Sequence, residues 1–134
     1  MTTDDPRLDE LLAAARQAAR SAYCPYSHFR VGAAVLAGGR VHTGCNVENA
    51  SYGLAMCAER TATFKLASEG LREIEAIAVA CIDGGSDPAG RMPCGACRQV
   101  LSEFCSEDVP FAVDGVGVFR FGELLPRRFV LPRK

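Results

Sequence analysis

Hydrophobic positions near the start of the chain recur at helical spacing and predict an amphipathic helix. The residues that form its apolar face are Leu8, Leu11, Leu12, Ala15 and Ala19. Pro6 suits the first turn of that helix, Asp4 or Asp5 is placed to cap it, and Pro25 is expected to end it. The chain is therefore expected to open with a helix that packs one face against the rest of the protein.

Five short segments farther along are rich in β-branched and small apolar residues and predict β-strands. They are residues 30–36, 41–47, 74–82, 109–113 and 118–121. The first two flank Gly38-Gly39 and predict a hairpin with a glycine turn. The third is an almost unbroken apolar run, which is typical of a central strand buried on both faces.

Two further segments, 57–70 and 94–105, predict helices. The residues expected on the inner face of the first are Ala58, Ala62, Phe64 and Leu66. Gly70 suits the position just after its end. The order helix, hairpin, helix, strand, helix, strand, strand predicts an α/β sandwich with helices on both faces of a mixed sheet. A chain of 134 residues has room for one such core, so residues 1–134 are expected to form a single domain.

The charge and the cysteine content narrow the classes of function. The formal net charge is −1 at pH 7, and no basic run is longer than the pairs Arg127-Arg128 and Arg133-Lys134. A nucleic-acid-binding face neutralises several phosphates, so a small neutral substrate fits this balance better. No segment approaches the roughly 18 apolar residues of a membrane span. The acidic start of the chain has no apolar stretch of the kind found in secretory signals, which predicts a protein of the reducing cytoplasm. In that compartment, seven cysteines favour metal binding over disulfide bonds.

Three of the cysteines are spaced as metal ligands. Cys57 begins the sequence Cys-Ala-Glu-Arg, and Cys94 and Cys97 form a C-x-x-C pair after Pro93. Both stretches begin predicted helices, where the macrodipole favours thiolates. Three thiolates and one open position are typical of catalytic zinc, whereas a structural site normally takes four protein ligands. The alternative is that these cysteines are only small core hydrophobes.

Charged neighbours of these cysteines suit a catalytic metal. Glu59 is the natural proton carrier for a water molecule at the metal, although a glutamate here also stabilises the first turn of a helix. Three thiolates leave a charge of about −1 around Zn²⁺, and Arg60 is placed to offset it by donating hydrogen bonds to sulfur. Arg98 is a weaker candidate for the same role. An exposed helical arginine is the alternative for Arg60.

With these motifs the chain resembles the cytidine deaminase family, in particular its small zinc enzymes with three cysteine ligands. Three further blocks carry the resemblance: Tyr26-Ser27-His28-Phe29-Arg30-Val31-Gly32-Ala33-Ala34, Asn46-Val47-Glu48-Asn49-Ala50-Ser51-Tyr52-Gly53 and Leu124-Leu125-Pro126-Arg127-Arg128-Phe129. The resemblance implies a three-layer α/β/α sandwich with a mixed five-stranded sheet and one Zn²⁺ per subunit on Cys57, Cys94 and Cys97. It also implies deamination of cytidine and 2′-deoxycytidine in pyrimidine salvage.

The resemblance further implies roles for residues around the metal. Glu59 would pass protons from water to the pyrimidine N3 and to the departing amine. Asn46 and Glu48, which stand two residues apart on one face of a predicted strand end, would hold the 3′-hydroxyl of the sugar. Without the resemblance, such a pair is more typical of a solvated strand edge. Phe29 would pack against the base, and Ala58 would also contact substrate.

The family's assembly has consequences for the ends of the chain. The resemblance implies a homotetramer in which active sites are shared between subunits. Phe129 would reach into a neighbouring site, and Tyr52 would lie between subunits. The apolar segment Phe129-Val130-Leu131 is itself expected to point outward, because a domain of this size has little core left to receive it and Arg127-Arg128 are expected to lift the chain into solvent. A frayed C-terminus without a role is the alternative.

Two other functions compete with this interpretation. A deaminase of a cytosine-containing antibiotic such as blasticidin S shares the metal motifs but lacks the Asn46-x-Glu48-Asn49 block. A structural zinc module needs a fourth ligand, and Glu59 is the only carboxylate close by in the sequence. The cysteines and histidines with no expected metal role are Cys24, Cys45, Cys81, Cys105, His28 and His42.

Overall fold

The computed structural model describes residues 3–133, which fold around one five-stranded sheet. The helices are α1 (Pro6–Ala19), α2 (Ala58–Ser68), α3 (Gly95–Ser102) and α4 (Phe121–Leu124). The strands are β1 (Val31–Ala37), β2 (Arg40–Cys45), β3 (Ala76–Cys81), β4 (Pro110–Val113) and β5 (Gly117–Arg120). Two 3-10 turns, Tyr52–Leu54 and Pro88–Arg91, lie in the long connections. Within residues 3–133, each helix is too short or too polar to cross a bilayer.

The sheet is mixed, as the order of elements predicts. Its strand order is β2-β1-β3-β4-β5; β3 and β4 are parallel, and all other neighbours are antiparallel. All six residues of β3 are buried, because this central strand is covered on both faces. The parallel pair places the carboxyl ends of β3 and β4 at the same edge of the sheet, beside the connection that leads to α3.

Helices cover both faces, so the three-layer α/β/α architecture is confirmed. On one face, the leucines of α1 pack against alanines of the strands, which allows a close approach. On the other, larger residues of the strands pack against α2, α3 and α4; Ile77, Val79 and Phe111 are among them. Gly44 on β2 permits this packing, because a Cβ there would lie 2.5 Å from the backbone nitrogen of Ala62. The close contact fixes the first turns of α2 on the hairpin.

Several predicted element boundaries are wrong. The first helix ends at Ala19 rather than near Pro25, because Tyr23 already pairs with Val47 in a parallel bridge. Phe121 is not the last residue of a strand: it begins α4, whose start is fixed by the Glu123 carboxylate accepting from the backbone N–H of Arg120. Residues 118–121 have the apolar composition of a strand, so this short helix, which is held by local hydrogen bonds, was not predicted.

Two side chains also differ from their predicted positions. Phe64 is 45% exposed, because it lies on the opposite side of α2 from Ala62 and Leu66. Arg128 does not lift the C-terminal segment into solvent. Its Nη1 donates to the carbonyls of Ser102 and Cys105 at 2.8 and 2.9 Å, which ties this segment to the end of α3.

Candidate active site

The two stretches that carry the predicted metal ligands begin helices that lie side by side on the same face of the sheet. Cys57 is the N-cap residue of α2, and Cys94 is the N-cap residue of α3. In both, an extended backbone precedes the first helical turn, so the helix start presents the thiol with partial positive charge behind it. Cys97 follows within α3 and is fully buried.

The three sulfurs form a cluster that could hold one metal ion, with all ligand atoms within 4.8 Å of one another. The Sγ atoms of Cys57 and Cys94 are 3.8 Å apart, and those of Cys94 and Cys97 are 3.4 Å apart. Sulfurs bound tetrahedrally at about 2.3 Å from one zinc ion lie roughly 3.8 Å apart. The donor set and the spacing therefore fit Zn²⁺.

The cluster leaves a coordination position for water or substrate. No fourth His, Cys, Asp or Glu joins the three cysteines anywhere in residues 3–133. A structural zinc site is normally closed by a fourth protein ligand, whereas catalytic sites keep one position open. The geometry thus favours a catalytic site over a structural zinc module.

Protons and charge in the cluster are arranged for metal binding. The Cys57 sulfur accepts hydrogen bonds from Cys97 and from Arg60, and both lower the pKa of Cys57. The bond between the two cysteines is also the main cause that raises the pKa of Cys97. The sulfur of Cys57 therefore loses its proton before that of Cys97, and metal binding displaces the remaining protons. Arg60 Nη2 donates to the Cys57 sulfur at 3.4 Å, so its positive charge lies against the ligands as predicted for charge compensation.

Arg98 has a different position from the one considered for it. Its Nε donates to the carbonyl of Pro93 at 3.0 Å, and its Nη1 donates to the carbonyl of Leu124 at 2.8 Å. Among the described residues these carbonyls are its hydrogen-bond partners. Arg98 therefore links α3 to α4, and its side-chain hydrogen bonds go to these carbonyls rather than to the thiols.

Glu59 is a buried carboxyl at the start of α2, only 4% exposed. Burial is the main cause that raises its pKa to about 7, and the neighbouring Cys57 thiolate adds to the shift. A carboxyl with this pKa exchanges protons near neutral pH, which is the property that a general acid–base requires. The helix-stabilising role considered from the sequence would suit an exposed, ionised glutamate instead.

A cavity of about 360 Å³ opens beside the cluster, within the range of small-molecule sites. Nine residues of the predicted site line it. Two of them are the thiols Cys57 and Cys94, and the other seven are Phe29, Asn46, Glu48, Tyr52, Ala58, Glu59 and Arg60. Val31 and Val79 give it an apolar wall. The structure thus brings most of the predicted site together from segments far apart in the chain.

Asn46 and Glu48 line this cavity, but not as a strand face, because β2 ends at Cys45. The Asn46 amide donates to the carbonyl of Phe29 at 2.8 Å and accepts from the backbone N–H of Val31 at 2.9 Å. Asn46 therefore fixes the backbone on both sides of Arg30, and with it the chain that carries Phe29.

The Glu48 carboxylate is held by the turn that precedes Phe29. The backbone N–H groups of Tyr26 and Ser27 each donate to Oε1 at 3.1 Å, and the Ser27 hydroxyl donates to Oε2. These bonds, chiefly the one from the Ser27 hydroxyl, lower the pKa of Glu48. Glu48 is thus an ionised acceptor with a fixed orientation, suited to a ligand that donates a hydroxyl hydrogen.

Two predicted residues lie at or beyond the rim of the cavity. Tyr52 lines it but is 86% exposed. Phe129 is 66% exposed, does not line the cavity, and is attached to the domain through its backbone carbonyl, which accepts from Gln99. Within one chain, Phe129 therefore does not contribute to the cavity.

Three further residues with polar or titratable side chains at the site were not recognised from the sequence. Ser27 orients Glu48, Cys81 lines the cavity with its pKa raised to about 11 by burial, and Arg91 lines the same wall. The signal for Ser27 was its place two residues before Phe29, the first residue of the chain that lines the cavity. Cys81 and Arg91 gave none, because their contacts depend on how β3 ends.

Three thiols with an open position beside a buried carboxyl define the class of zinc-dependent hydrolases that activate water. The comparisons with known proteins are more specific. Residues 6–113 match the family model described as the cytidine and deoxycytidylate deaminase zinc-binding region. Together with the relatives described next, this match shows that the chain belongs to the cytidine deaminase family.

The chain is similar to curated and solved members of the family over most of its length. The cytidine deaminase of Halalkalibacterium halodurans is 48% identical over 124 residues, 89% of this chain and 91% of that protein. The crystal structure of cytidine deaminase from Mycobacterium tuberculosis has a TM-score of 0.80 at 45% identity, covering 95% of this chain and 100% of that one. For the Burkholderia pseudomallei cytidine deaminase, the TM-score is 0.81 at 43% identity, covering 96% and 100%.

Proposed function

We propose that the protein deaminates cytidine and 2′-deoxycytidine hydrolytically to uridine and 2′-deoxyuridine, with release of ammonia, in pyrimidine salvage. Membership of the family supports this activity. The single observation that carries it is the buried carboxyl of Glu59 next to three clustered thiols, beside a cavity of about 360 Å³. A nucleoside suits a cavity of this size, which has a polar end at Asn46 and Glu48 and an apolar wall.

In this proposal Glu59 is the catalytic residue that moves protons. It takes a proton from the attacking water as the oxygen bonds to C4, and it delivers a proton to N3 of the pyrimidine. It then takes the remaining proton from the new hydroxyl on C4, which becomes the carbonyl, and passes it to the amine as the bond between C4 and the exocyclic nitrogen breaks. Cytidine and water thereby give uridine and ammonia, and the carboxyl returns to its starting state. Its pKa of about 7 suits both directions of transfer.

The metal site supports this chemistry through the residues that hold it. When bound by Cys57, Cys94 and Cys97, Zn²⁺ supplies a Lewis acid that lowers the pKa of a water molecule. Three thiolates weaken this lowering of the water pKa, because their total negative charge is larger than the positive charge of the ion. Arg60 counteracts them by donating a hydrogen bond to the Cys57 sulfur, which withdraws charge from the ligand set.

The polar end of the cavity supports recognition of a sugar. Glu48 is an ionised acceptor, and the Asn46 amide keeps one N–H and one oxygen lone pair beyond its two backbone bonds. Together they suit the 3′-hydroxyl, which both donates and accepts. Phe29, whose backbone Asn46 fixes, then packs against the base. The proposed substrate is thus a free nucleoside, and no nucleic acid is a partner.

The test of this function is a spectrophotometric assay of the zinc-loaded protein with four compounds: cytidine, 2′-deoxycytidine, cytosine and cytidine monophosphate. We expect loss of the cytidine absorbance and stoichiometric ammonia with both nucleosides, and far lower kcat/KM with cytosine, which lacks the sugar that Glu48 and Asn46 would hold. Turnover of cytosine at the nucleoside rate, or no turnover of either nucleoside, would refute the proposal.

Glu48→Gln should raise KM for cytidine, because the neutral amide is a weaker acceptor for the sugar hydroxyl. The expected loss in kcat/KM is about 10–100-fold, the effect of a lost hydrogen bond to a charged group. Glu10→Gln, on the exposed face of α1, is the matched control and should match the wild type. If Glu48→Gln keeps the wild-type kcat/KM, Glu48 lies outside the substrate site.

We also propose that the protein is a cytoplasmic homotetramer in which subunits share active sites. Exposed apolar side chains support assembly: Tyr52, Leu54, Phe129, Val130 and Leu131 are all more than half exposed. Such a surface favours a partner, and symmetric self-association is the common solution. Seven cysteines without a disulfide among residues 3–133 fit a reducing compartment.

Deletion of residues 129–134 tests the shared site. Zinc should stay bound, because the cysteines lie elsewhere, while cytidine binding should weaken by about 1–3 kcal/mol, as for one lost base–aromatic stack. The tetramer should also dissociate more readily in sedimentation velocity. Substitution of Phe129 alone by Ala separates the aromatic contribution from that of the whole segment. A truncated protein that sediments like the full chain and keeps its KM would exclude the shared-site proposal.

A further inference from the structure

Arg91 has an unusual set of hydrogen-bond partners at the edge of the cavity. It ends the 3-10 turn Pro88–Arg91, three residues before Cys94. Its guanidinium donates to four backbone carbonyls. These bonds are Nε to Gly85 at 3.0 Å, Nη2 to Gly84 at 2.8 Å, Nη1 to Asp114 at 3.3 Å and Nη1 to Cys81 at 3.4 Å. One side chain thus joins the ends of β3 and β4 to the connection that leads to α3.

The space for this guanidinium depends on glycines. A Cβ built on Gly84 would lie 3.0 Å from Arg91 Cζ, 3.1 Å from the Cys81 carbonyl oxygen that Arg91 also binds, and 3.2 Å from Arg91 Nε; one on Gly115 would lie 3.5 Å from Arg91 Nη1. A Cβ on Gly85 meets nothing within 4 Å. Gly84 therefore leaves room for the guanidinium, whereas Gly85 supplies only a carbonyl. The sequence alone contained no sign of this internal attachment.

Among the three thiols, Cys94 depends most on the chain before it. Cys97 is buried within α3, and Cys57 is exposed only in part and follows Met56, which exchanges two backbone hydrogen bonds with Val47. Cys94 is exposed. Pro93, just before it, is buried and its carbonyl accepts from Arg98 within α3, but it has no N–H to donate toward the sheet edge.

We propose that Arg91 is a positioning residue for the metal site: by anchoring the turn before Cys94 to the sheet edge, it keeps the Cys94 sulfur where a zinc ion needs it. The proposal rests on the assignment of zinc to Cys57, Cys94 and Cys97. A planar guanidinium carries five N–H donors in a fixed geometry, so it can hold four carbonyls at once. Lysine has three donors on one atom, and methionine has none.

The test measures how fast zinc leaves the intact protein when a chromophoric chelator captures it. Arg91→Met should release zinc about tenfold faster, the lower end of the effect of residues that orient metal ligands. The matched control is Arg72→Met. Arg72 also donates to two backbone carbonyls, those of Ala67 and Leu71, but it lies outside the cavity lining. Arg91→Lys should be intermediate. Release from Arg91→Met at the wild-type rate would overturn the proposal.

A second pair of variants keeps the proposal testable if Arg91→Met does not fold. Gly84→Ala should displace the guanidinium and accelerate zinc release without removing any donor, whereas Gly85→Ala should leave the rate unchanged, because its Cβ has free space. Equal rates for these two variants would contradict the role of Arg91. The cobalt-substituted proteins supply a spectroscopic check, because their d–d bands report ligand geometry and should shift in Gly84→Ala only.

These measurements separate the two levels of the proposal. If the wild-type protein binds no zinc, the metal site itself is wrong and the role of Arg91 falls with it. If the wild type holds zinc and Arg91→Met loses thermal stability in the metal-free state while its zinc release stays unchanged, Arg91 supports only the fold. Faster release with cobalt bands shifted relative to Arg72→Met supports positioning of Cys94.

Discussion

Glu59→Gln is expected to keep its zinc and to lose about 10²–10⁴-fold in kcat, the contribution of general acid–base catalysis. The amide has nearly the same shape as the carboxyl and is buried in the same place, so the fold and the thiol cluster should be unaffected. It cannot accept a proton from water or pass one to the base. Zinc content by atomic absorption and kcat with cytidine, measured on the same sample, test this expectation.

Two further variants make the Glu59 result specific. Glu59→Asp retains an acid but withdraws it by one methylene, so its kcat should fall between those of the wild type and Glu59→Gln. Glu10→Gln, which removes an exposed carboxylate on α1, should have the wild-type rate. If Glu59→Gln turns over cytidine at the wild-type rate, the proton carrier is another group. If it loses zinc as well as activity, its effect on the metal site must be separated from catalysis.

The metal cluster was predictable because its signals are local. Cys57 and Cys94 are each followed by a helical pattern, and Cys97 comes one turn after Cys94. What brings the two helix starts together is the sheet, and its pattern was equally clear, since β3 is apolar throughout. Side chains alternate along this strand, with Ile77 and Val79 on the α2 side and its alanines facing α1. The central strand therefore followed from its apolar run, and the thiol trio from its spacing and from the two predicted helix starts.

The rest of the site depends on contacts that no spacing encodes. The sequence placed Asn46 and Glu48 on a strand face, but β2 ends before them and turns hold them instead. A side-chain hydroxyl, that of Ser27, then determines how Glu48 points. Likewise, the donors of Arg91 meet the carbonyl of the last residue of β3 and that of the residue just after β4, so that role emerges only after the parallel pair has formed. Sequence reasoning succeeds for periodic patterns and fails where one side chain satisfies distant backbone groups.

The position of Phe64 shows the same limit in a simpler form. Its hydrophobicity suggested the core. Residues two positions apart lie on roughly opposite sides of a helix, so Phe64 points away from the sheet that Ala62 faces. Phe129 was predicted to point outward and does, but for a different reason than supposed. Arg128 binds carbonyls at the end of α3 and so holds the segment on the surface next to Phe129. Local polar contacts, not the lack of core space alone, set the path of this segment.

Cys94→Ala is expected to lower zinc affinity and, with it, the stability that the metal provides. Because the three thiols fold around one ion, binding free energy adds directly to the free energy of unfolding. Zinc at 100 times its Kd stabilises a folded protein by about 2.7 kcal/mol, and a variant that no longer binds at that concentration should lose this amount. Thermal or denaturant unfolding with and without zinc, together with metal content, measures both effects.

The decisive comparison for Cys94→Ala is with a cysteine outside the cluster. Cys45→Ala removes a half-buried thiol from β2 and should leave zinc content and the zinc-dependent part of the stability unchanged. Unfolding of the metal-free proteins isolates any loss of packing, which is expected to be small for Cys94 because its side chain is exposed. The difference between zinc-loaded and metal-free stability should therefore collapse in Cys94→Ala alone. A Cys94→Ala protein with full zinc content and the wild-type difference would show that this thiol is not a ligand.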